Sequence, residues 1–501
     1  MSFRRVGGLA AVALGTLLWL SCGQIYRPVV IPIATIPPNP ANFHEVFSVN
    51  TNTAFNQGTA MQIDVSGDTE IGVANMGVIP THAAILPSDG RAFVASAGSL
   101  DGVDTDAVMA FAPVPDSSTA TGITSVTSYS LPNGSLPVFL ATTQNNAVFS
   151  ANFGTNSVSS LNSSANVVTL TSPVGRGPVA LVETPDTVNL YVLNQTDNTV
   201  MDISPLDLTM LAPPIPVGST PVWAVARVDN RRLYVVTQGS GQLVPIDIAS
   251  NTVLASETNL SVGAGANFVL YDPTLNRLYV TNPVTGTVYV FSATGGLDPA
   301  TGAANDTPTL LATINMSAGT NAPCPSGCSP SGVAALPDGS RFYVASYQYA
   351  ASCPDPVVGL SSACVIPRLT VFDAPSITVK PFASSLVAPS LSLLMEPEFS
   401  AAQYAVPPLS SCTVVTPYAP GATRFRMFTV AAVDSSHVYA SVCDAGMVAD
   451  VAATSSPISQ TGGNNTPDTL MSDLATPFGA GAPGPNGEPA TQSPIFLLTG
   501  Q

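Results

Sequence analysis

Residues 277–290 read RLYVTNPVTGTVYV, which is two strand-length apolar runs joined by a short polar turn. Val, Tyr and Thr favour β-strands, whereas Pro and Gly between such runs favour turns. Related segments recur along the chain, and the weakest copy is HEVFSV at residues 44–49. The other copies are RAFVAS at 91–96, AVFSAN at 147–152, NLYVLN at 189–194, RLYVVT at 232–237, RFYVAS at 341–346 and HVYASV at 437–442.

The spacing of these segments indicates a repeat of four strands. Each segment has a central aromatic residue, and four of the first five intervals between these aromatics span 42 to 46 residues. This is the length of a four-stranded propeller blade. In one unit, further strand-like runs lie at residues 222–226, 242–246 and 251–255. The pattern predicts an all-β propeller of seven or eight blades, with eight favoured.

The two ends of the repeat region predict how the ring closes. The first unit, residues 44–74, has three strand-like runs but lacks a first strand. SPIFLLT at residues 493–499 is a strand-like run with no unit of its own. We expect it to complete the first blade, so that the N- and C-terminal segments close the ring. The propeller then spans residues 43–501, with loop insertions expected at 293–330, 347–368 and 383–423.

A family resemblance rests on LYVTN at residues 278–282 and GTVYV at 286–290. These runs resemble the YVTN-repeat β-propeller family, and looser matches extend over residues 43–475. The resemblance implies the fold and an exported or cell-envelope protein. It does not imply one activity, because a fold does not fix function. Propellers that resemble lactonases and quinone-dependent dehydrogenases share the architecture.

The N-terminus has the order of a secretory signal peptide. Arg4 and Arg5 precede an apolar run at residues 6–20, and small residues follow. LWLSC at 18–22 resembles the lipobox of bacterial lipoproteins, in which the Cys is lipidated. We therefore expect a signal peptide at 1–21, lipidation of Cys22 and a Pro-rich tether at 22–42. The protein would be exported and anchored to the outer membrane, facing the periplasm or the cell surface. A cleaved signal with a coincidental Cys, and an uncleaved anchor, are the alternatives.

Composition excludes several classes of protein. The 501 residues include 14 basic and 31 acidic ones, giving a net charge of -17, and 45% are hydrophobic. The chain is too apolar for a disordered protein, and it lacks the basic surface that binds nucleic acid. Beyond the first twenty residues no apolar run approaches the ~18 residues of a spanning helix. Membrane association is therefore expected through the lipid anchor only.

Six cysteines remain when Cys22 is set aside. An even number in an exported chain favours disulfides, although six cysteines allow about fifteen connectivities. Proximity along the chain favours the pairs Cys324–Cys328 and Cys353–Cys364, which leaves Cys412–Cys443. A zinc site formed by the first four is the alternative, but their spacing is not a typical zinc ligand pattern.

Few side chains suggest chemistry. His82 lies in a first strand, THAAI at residues 81–85, and first strands line a propeller channel, so it is the channel candidate. A structural role for it is nevertheless favoured. DGVDTD at 101–106 supplies the carboxylates of Asp101, Asp104 and Asp106, which are weak candidates for Ca²⁺ ligands; a solvated hairpin tip is the alternative. No catalytic motif is found and no cofactor is predicted.

Three aspartates recur at the ends of third strands, namely Asp64, Asp247 and Asp373. Such a series could form a ring of acids around the channel. Asp at a turn more often accepts hydrogen bonds from the backbone just after it. We expect each of the three to cap its own hairpin.

These observations favour a non-enzymatic cell-envelope lipoprotein that binds or scaffolds protein or glycan partners. The alternative is a propeller enzyme similar to lactonases or quinone-dependent dehydrogenases, with a metal or cofactor in the central channel. Three or more acidic or His side chains converging on the channel would favour the enzyme. A channel lined by Ala, Val and Ser would favour the binding module.

Overall fold

The computed structural model describes most of the repeat region. The expected signal peptide, Cys22 and the tether lie outside the described residues. Among the residues that are described, no helix is long and apolar enough to cross a membrane. The described residues are 45–52, 57–65, 69–88, 90–98, 106–113, 123, 126–143, 146–254, 260–293, 308–317, 327–350, 364–379, 412, 425–453, 468–477 and 492–500.

The strands form eight four-stranded antiparallel sheets, which confirms the prediction of eight blades. In blades 2 to 8 the four strands follow one another in chain order, from the inner to the outer strand. Blade 2 consists of β4 (Ile79–Ile85), β5 (Ala92–Ala97), β6 (Ala107–Phe111) and β7 (Val126–Ser130). Blade 3 consists of β8 (Pro137–Thr142), β9 (Ala147–Asn152), β10 (Ser157–Asn162) and β11 (Val167–Pro173). Blade 4 consists of β12 (Pro178–Glu183), β13 (Leu190–Asn194), β14 (Thr199–Ile203) and β15 (Ile215–Pro216).

The second half of the ring repeats this order. One short 3₁₀ turn, Cys443–Ala445, follows the second strand of blade 8. Blades 5 to 8 consist of β16 (Pro221–Ala226), β17 (Arg232–Thr237), β18 (Gln242–Asp247) and β19 (Thr252–Val253); β20 (Phe268–Asp272), β21 (Arg277–Asn282), β22 (Thr287–Ser292) and β23 (Thr309–Asn315); β24 (Ser329–Ala335), β25 (Arg341–Ala350), β26 (Cys364–Asp373) and β27 (Thr378–Val379); and β28 (Met427–Ala431), β29 (His437–Val442), β30 (Met447–Ala452) and β31 (Thr469–Ala475).

Blade 1 is assembled from the two ends of the repeat region. It consists of β1 (Glu45–Thr51), β2 (Thr59–Asp64) and β3 (Thr69–Asn75), with β32 (Ser493–Thr499) as its inner strand. β32 runs antiparallel to β1 and also contacts β28 and β4, the inner strands of its neighbours. The predicted closure is confirmed, and the ring has no open edge between its first and last blades.

The aromatic residue of the repeated segment joins neighbouring blades. The Tyr191 hydroxyl donates a hydrogen bond to Asn251 Oδ1 over 2.7 Å. The Tyr234 hydroxyl donates to the Ala293 carbonyl over 2.9 Å. In each case the acceptor lies after the third strand of the next blade. The aromatic ring of the Tyr is buried and its hydroxyl has a hydrogen-bond acceptor. This position therefore favours Tyr over Phe wherever such an acceptor is present.

The Asn of the LYVTN run holds a turn together. Asn282 Oδ1 accepts hydrogen bonds from the backbone N–H groups of Val284 and Thr285. Its Nδ2 donates to the carbonyls of Val262 and Gly263, in the connection that enters the blade. The most recognisable residues of the repeat are therefore explained by the fold.

Two of the expected insertions overlap strands. The interval 293–330 contains β23, the outer strand of blade 6. The interval 347–368 overlaps the hairpin of β25 and β26, each of which is ten residues long. Of the interval 383–423, only Cys412 is described.

The disulfide between Cys412 and Cys443 is present, with a Cα–Cα distance of 5.9 Å. This confirms the pairing predicted for these two residues. Cys328 is also disulfide-bonded. Cys324 and Cys353 lie outside the described residues, and the side chain of Cys364 is not described either.

Candidate functional site

One position recurs in the inner strand of every blade, and six of its eight residues have rings that contact one another. In five blades a Pro lies two residues before this position, and the register of strand pairing shifts between the two, as between Pro221 and Trp223. Such shifts are β-bulges, which re-aim a side chain. In blade order from blade 2, the residues at this position are His82, Phe139, Ala180, Trp223, Phe268, Gly332, Phe428 and Phe496.

The aromatic members of this set pack against one another across the channel. The Trp223 ring centroid lies 5.3 Å from that of Phe139 and 5.2 Å from that of Phe268. It also lies 5.6 Å from that of Phe425, which directly precedes blade 8. Blades 5 and 8 are three positions apart in the ring, so this contact spans the channel. We define the channel core as His82, Phe139, Trp223, Phe268, Phe425, Phe428 and Phe496.

His82 is one of the rings of the channel core. It is stacked on Phe139 with a centroid distance of 3.8 Å and lies 4.5 Å from Phe496. Its Nδ1 accepts a hydrogen bond from the backbone N–H of Leu140 in the next blade. Burial lowers the pKa of His82 to about 3, because the imidazolium would lose its hydration. The side chain is therefore neutral near pH 7, with its proton on Nε2.

Two of these eight inner-strand positions carry small residues, Ala180 and Gly332, and Gly332 makes room for Phe428. A Cβ on Gly332 would lie 3.2 Å from Cδ2 of Phe428. The channel at this level is thus lined neither by converging acids nor mainly by Ala, Val and Ser, since six of the eight positions carry aromatic or imidazole rings. It is filled by rings. Within the described part of the chain, no group of three His, Cys, Asp or Glu side chains is placed to hold a metal ion.

The aspartates singled out in the sequence lie in turns. Asp247 Oδ1 accepts a hydrogen bond of 2.9 Å from Ser250 N, and Asp373 Oδ2 accepts one of 3.0 Å from Ser376 N. These two cap their own hairpins, as expected, whereas the turn after Asp64 is only partly described. Asp106 is buried and accepts a hydrogen bond from the backbone N–H of Gly98. Asp101 and Asp104 lie outside the described residues, so the calcium site stays a prediction.

A second concave region lies between blades 3 and 4, beside the turns that follow their inner strands. This cavity has a volume of about 190 Å³. We call it the lateral pocket. Its lining is about equally polar and apolar, and it includes Thr143, Phe149, Leu161, Glu183, Thr187 and Leu206.

Glu183 is the unusual group of the lateral pocket. Its Oε1 atom is buried and has no hydrogen-bond partner. Burial, followed by the negative charge of Asp186, raises the pKa of Glu183 to about 8. The carboxyl group is therefore largely protonated near pH 7. Buried polar groups are normally satisfied, so an unsatisfied one needs an explanation.

The repeat itself could have revealed Glu183. In each blade one inner-strand residue pairs with the residue just before the repeat aromatic. It ends the inner strand in every blade except blade 6, where Asp272 follows it. Glu183, paired with Leu190, is the one carboxyl-bearing residue at this position in the eight blades. In the other blades it is Ile85, Thr142, Ala226, Tyr271, Ala335, Ala431 or Thr499.

The rim of the lateral pocket exposes aliphatic side chains. Leu206 is 91% exposed and lies in the turn after β14. Val188, next to the lining residue Thr187, is 57% exposed. Single exposed apolar residues are common, but several on the turns of one blade are typical of an interaction surface.

No protein-family model matches the chain, and no curated protein matches it in sequence. Solved structures do align with it. The periplasmic gluconolactonase PpgL of Pseudomonas aeruginosa is 17% identical, covering 69% of this chain and 98% of its own, with a TM-score of 0.45. The β-propeller domain of Cps50 (Swd1) from Myceliophteria thermophila is 10% identical, covering 75% and 98%, with a TM-score of 0.47. Kuenenia stuttgartiensis hydrazine synthase is 14% identical, covering 73% and 90%, with a TM-score of 0.43.

Proposed function

We propose that this protein is an exported, lipid-anchored β-propeller that binds or scaffolds protein or glycan partners at the cell envelope and does not catalyse a reaction. The observation that supports this is the channel core. An enzyme of the alternative type would need several acids or histidines converging on the channel around a metal or cofactor. Packed rings occupy that place, and the His82 side chain among them is neutral.

The closed ring suits a platform for partners. Eight blades locked by β32 hold the turns of both faces in fixed positions, and loops on a rigid scaffold commonly carry binding function. The exposed aliphatic residues of blade 4 add an apolar surface, which favours a protein partner at that place.

Export and lipid anchoring complete the proposal. They rest on the N-terminal charge, the apolar run and the residues around Cys22. The disulfide between Cys412 and Cys443 agrees with an oxidising compartment outside the cytosol.

Native mass spectrometry of the protein purified from the envelope of its own host tests the proposal first. We expect a chain that begins at Cys22, carries acyl groups and holds neither a metal nor a cofactor. A chain that begins elsewhere without lipid would contradict the anchor. A stoichiometric metal or cofactor would favour the enzyme.

A binding assay tests the scaffold role directly. The purified propeller is immobilised and titrated with fractionated envelope proteins and with envelope glycan fragments. We expect saturable binding of a defined partner that a metal chelator does not affect. Turnover of a lactone, or oxidation of an alcohol coupled to a quinone, would contradict the proposal, particularly if a chelator abolished it.

A further inference from the structure

The described lining of the lateral pocket contains one acidic group and no basic group. Among its described lining residues, Glu183 is the only one with an ionisable side chain. The charge of Asp186, which is also negative, acts on it. A carboxylate in such surroundings is strongly favoured by a bound cation, because a charge-assisted hydrogen bond replaces the lost hydration.

The volume of the pocket restricts the ligand. Small-molecule and cofactor sites usually enclose about 300–1,000 Å³, whereas this cavity holds about 190 Å³. The space suits one long side chain better than a cofactor or an oligosaccharide.

The shape of the lining matches a side chain with an apolar stem and a charged end. Lys and Arg bury their methylene groups along apolar surface while the charged group reaches a polar partner. Here the aliphatic Leu206, which is 91% exposed, and Glu183 line the same cavity. The net charge of -17 also attracts a basic partner before contact.

We infer that the lateral pocket binds a Lys or Arg side chain of a protein partner, with the Glu183 carboxylate as its counter-ion and Leu206 against its stem. This inference rests on the proposed binding function and names the class of partner for one site. A neutral glycan in the same pocket is the competing outcome.

Two dye-labelled pentapeptides test it by fluorescence anisotropy at pH 8.5 and low salt. One has the sequence Ala-Leu-Lys-Leu-Ala, and the other has norleucine in place of Lys. We expect the full-length protein to bind the Lys peptide at least ten-fold more tightly. Glu183→Gln should remove this preference without weakening the norleucine peptide.

Asp207→Asn is the matched control. Asp207 is an exposed carboxylate beside Leu206 whose Oδ1 accepts hydrogen bonds from Thr209, and it does not line the pocket. The variant removes the same formal charge from the same blade. We expect its affinity for the Lys peptide to stay within two-fold of the unchanged protein, which separates the ion pair from general electrostatic attraction.

The pH dependence is a readout that a purely structural Glu183 would not produce. Lowering the pH from 8.5 to 6.0 should reduce the affinity for the Lys peptide at least ten-fold. Glu183 must lose its proton to form the ion pair, whereas Lys stays charged over this range. The norleucine peptide and the Glu183→Gln variant should show no such change.

Equal affinity for both peptides, or an unchanged preference in Glu183→Gln, would overturn the inference. So would displacement of the Lys peptide by a neutral N-acetylglucosamine oligomer at equal concentration. If an envelope partner binds Glu183→Gln normally, the inference fails while the proposed function stands. If the protein binds no partner and turns over a substrate, the proposed function itself fails.

Discussion

The channel core and the lateral pocket each remove one ionisable side chain from water, with different consequences. In the channel core His82 becomes neutral by staying unprotonated. It stacks on Phe139 and accepts a hydrogen bond from Leu140. In the lateral pocket Glu183 becomes neutral only by keeping its proton, and its Oε1 atom stays without a partner. The fold itself supplies the hydrogen-bond partner of His82, whereas Glu183 lacks one and lies beside a cavity that a ligand can enter.

This difference teaches how to separate packing from function in a repeat protein. Both residues depart from the repeat pattern, and burial shifts the pKa of both. Of the two, only Glu183 retains an unsatisfied atom, and a buried unsatisfied atom costs stability. An unmet hydrogen bond beside a cavity is therefore a better indicator of a binding site here than a shifted pKa alone.

The largest expected effect comes from emptying the channel core. Trp223→Ala should lower the free energy of unfolding by about 3–5 kcal/mol, because Trp223 touches rings from several blades and the closed ring cannot collapse around the cavity. Urea denaturation followed by circular dichroism measures this. A loss below about 1 kcal/mol would show that the rings are not packed as described.

His82 predicts a loss of stability in acid. Its pKa is about 3 in the folded protein and about 6.5 when unfolded. The unfolded chain therefore binds a proton first, and stability falls as the pH drops below about 6.5, by up to about 1.4 kcal/mol per pH unit. His82→Gln should flatten this part of the profile relative to the unchanged protein. Parallel profiles for the two proteins would contradict the neutral, buried assignment.

Glu183 predicts the opposite dependence. Its pKa is about 8 in the folded protein and about 4.3 when unfolded. The folded protein therefore holds the extra proton, so stability falls as the pH rises from about 4.3 to 8. Glu183→Gln should raise the free energy of unfolding by about 1–2 kcal/mol at pH 8, after allowance for solvent at this partly exposed site, and change little at pH 4. Thermal unfolding at the two pH values measures it, and a destabilised variant at pH 8 would exclude the unsatisfied carboxyl.

The smallest effect is expected at the rim of the lateral pocket. Leu206 is 91% exposed, so Leu206→Ala should change the free energy of unfolding by less than about 0.5 kcal/mol. Chemical denaturation beside the Trp223→Ala variant gives the comparison. A loss similar to that of Trp223→Ala would mean that the rim is part of the core and is not free to contact a partner.

The sequence by itself determined the all-β repeat and the composite first blade, and it favoured the pairing of Cys412 with Cys443 among the possible connectivities. These features depend on order along the chain: strand-length apolar runs, the residues that turn between them, and a count of cysteines. Such local signals can be recognised in the sequence because each blade is one repeated supersecondary unit.

Only the tertiary structure decided what fills the channel and where a ligand could bind. The rings of His82, Trp223 and Phe496 come from strands far apart in the chain, and nothing in any one repeat shows that they meet. Glu183 departs from the repeat already in the sequence, but only the fold shows that it is buried beside a cavity between blades 3 and 4. Desolvation depends on what surrounds a side chain in space, and closure of the ring supplies those surroundings.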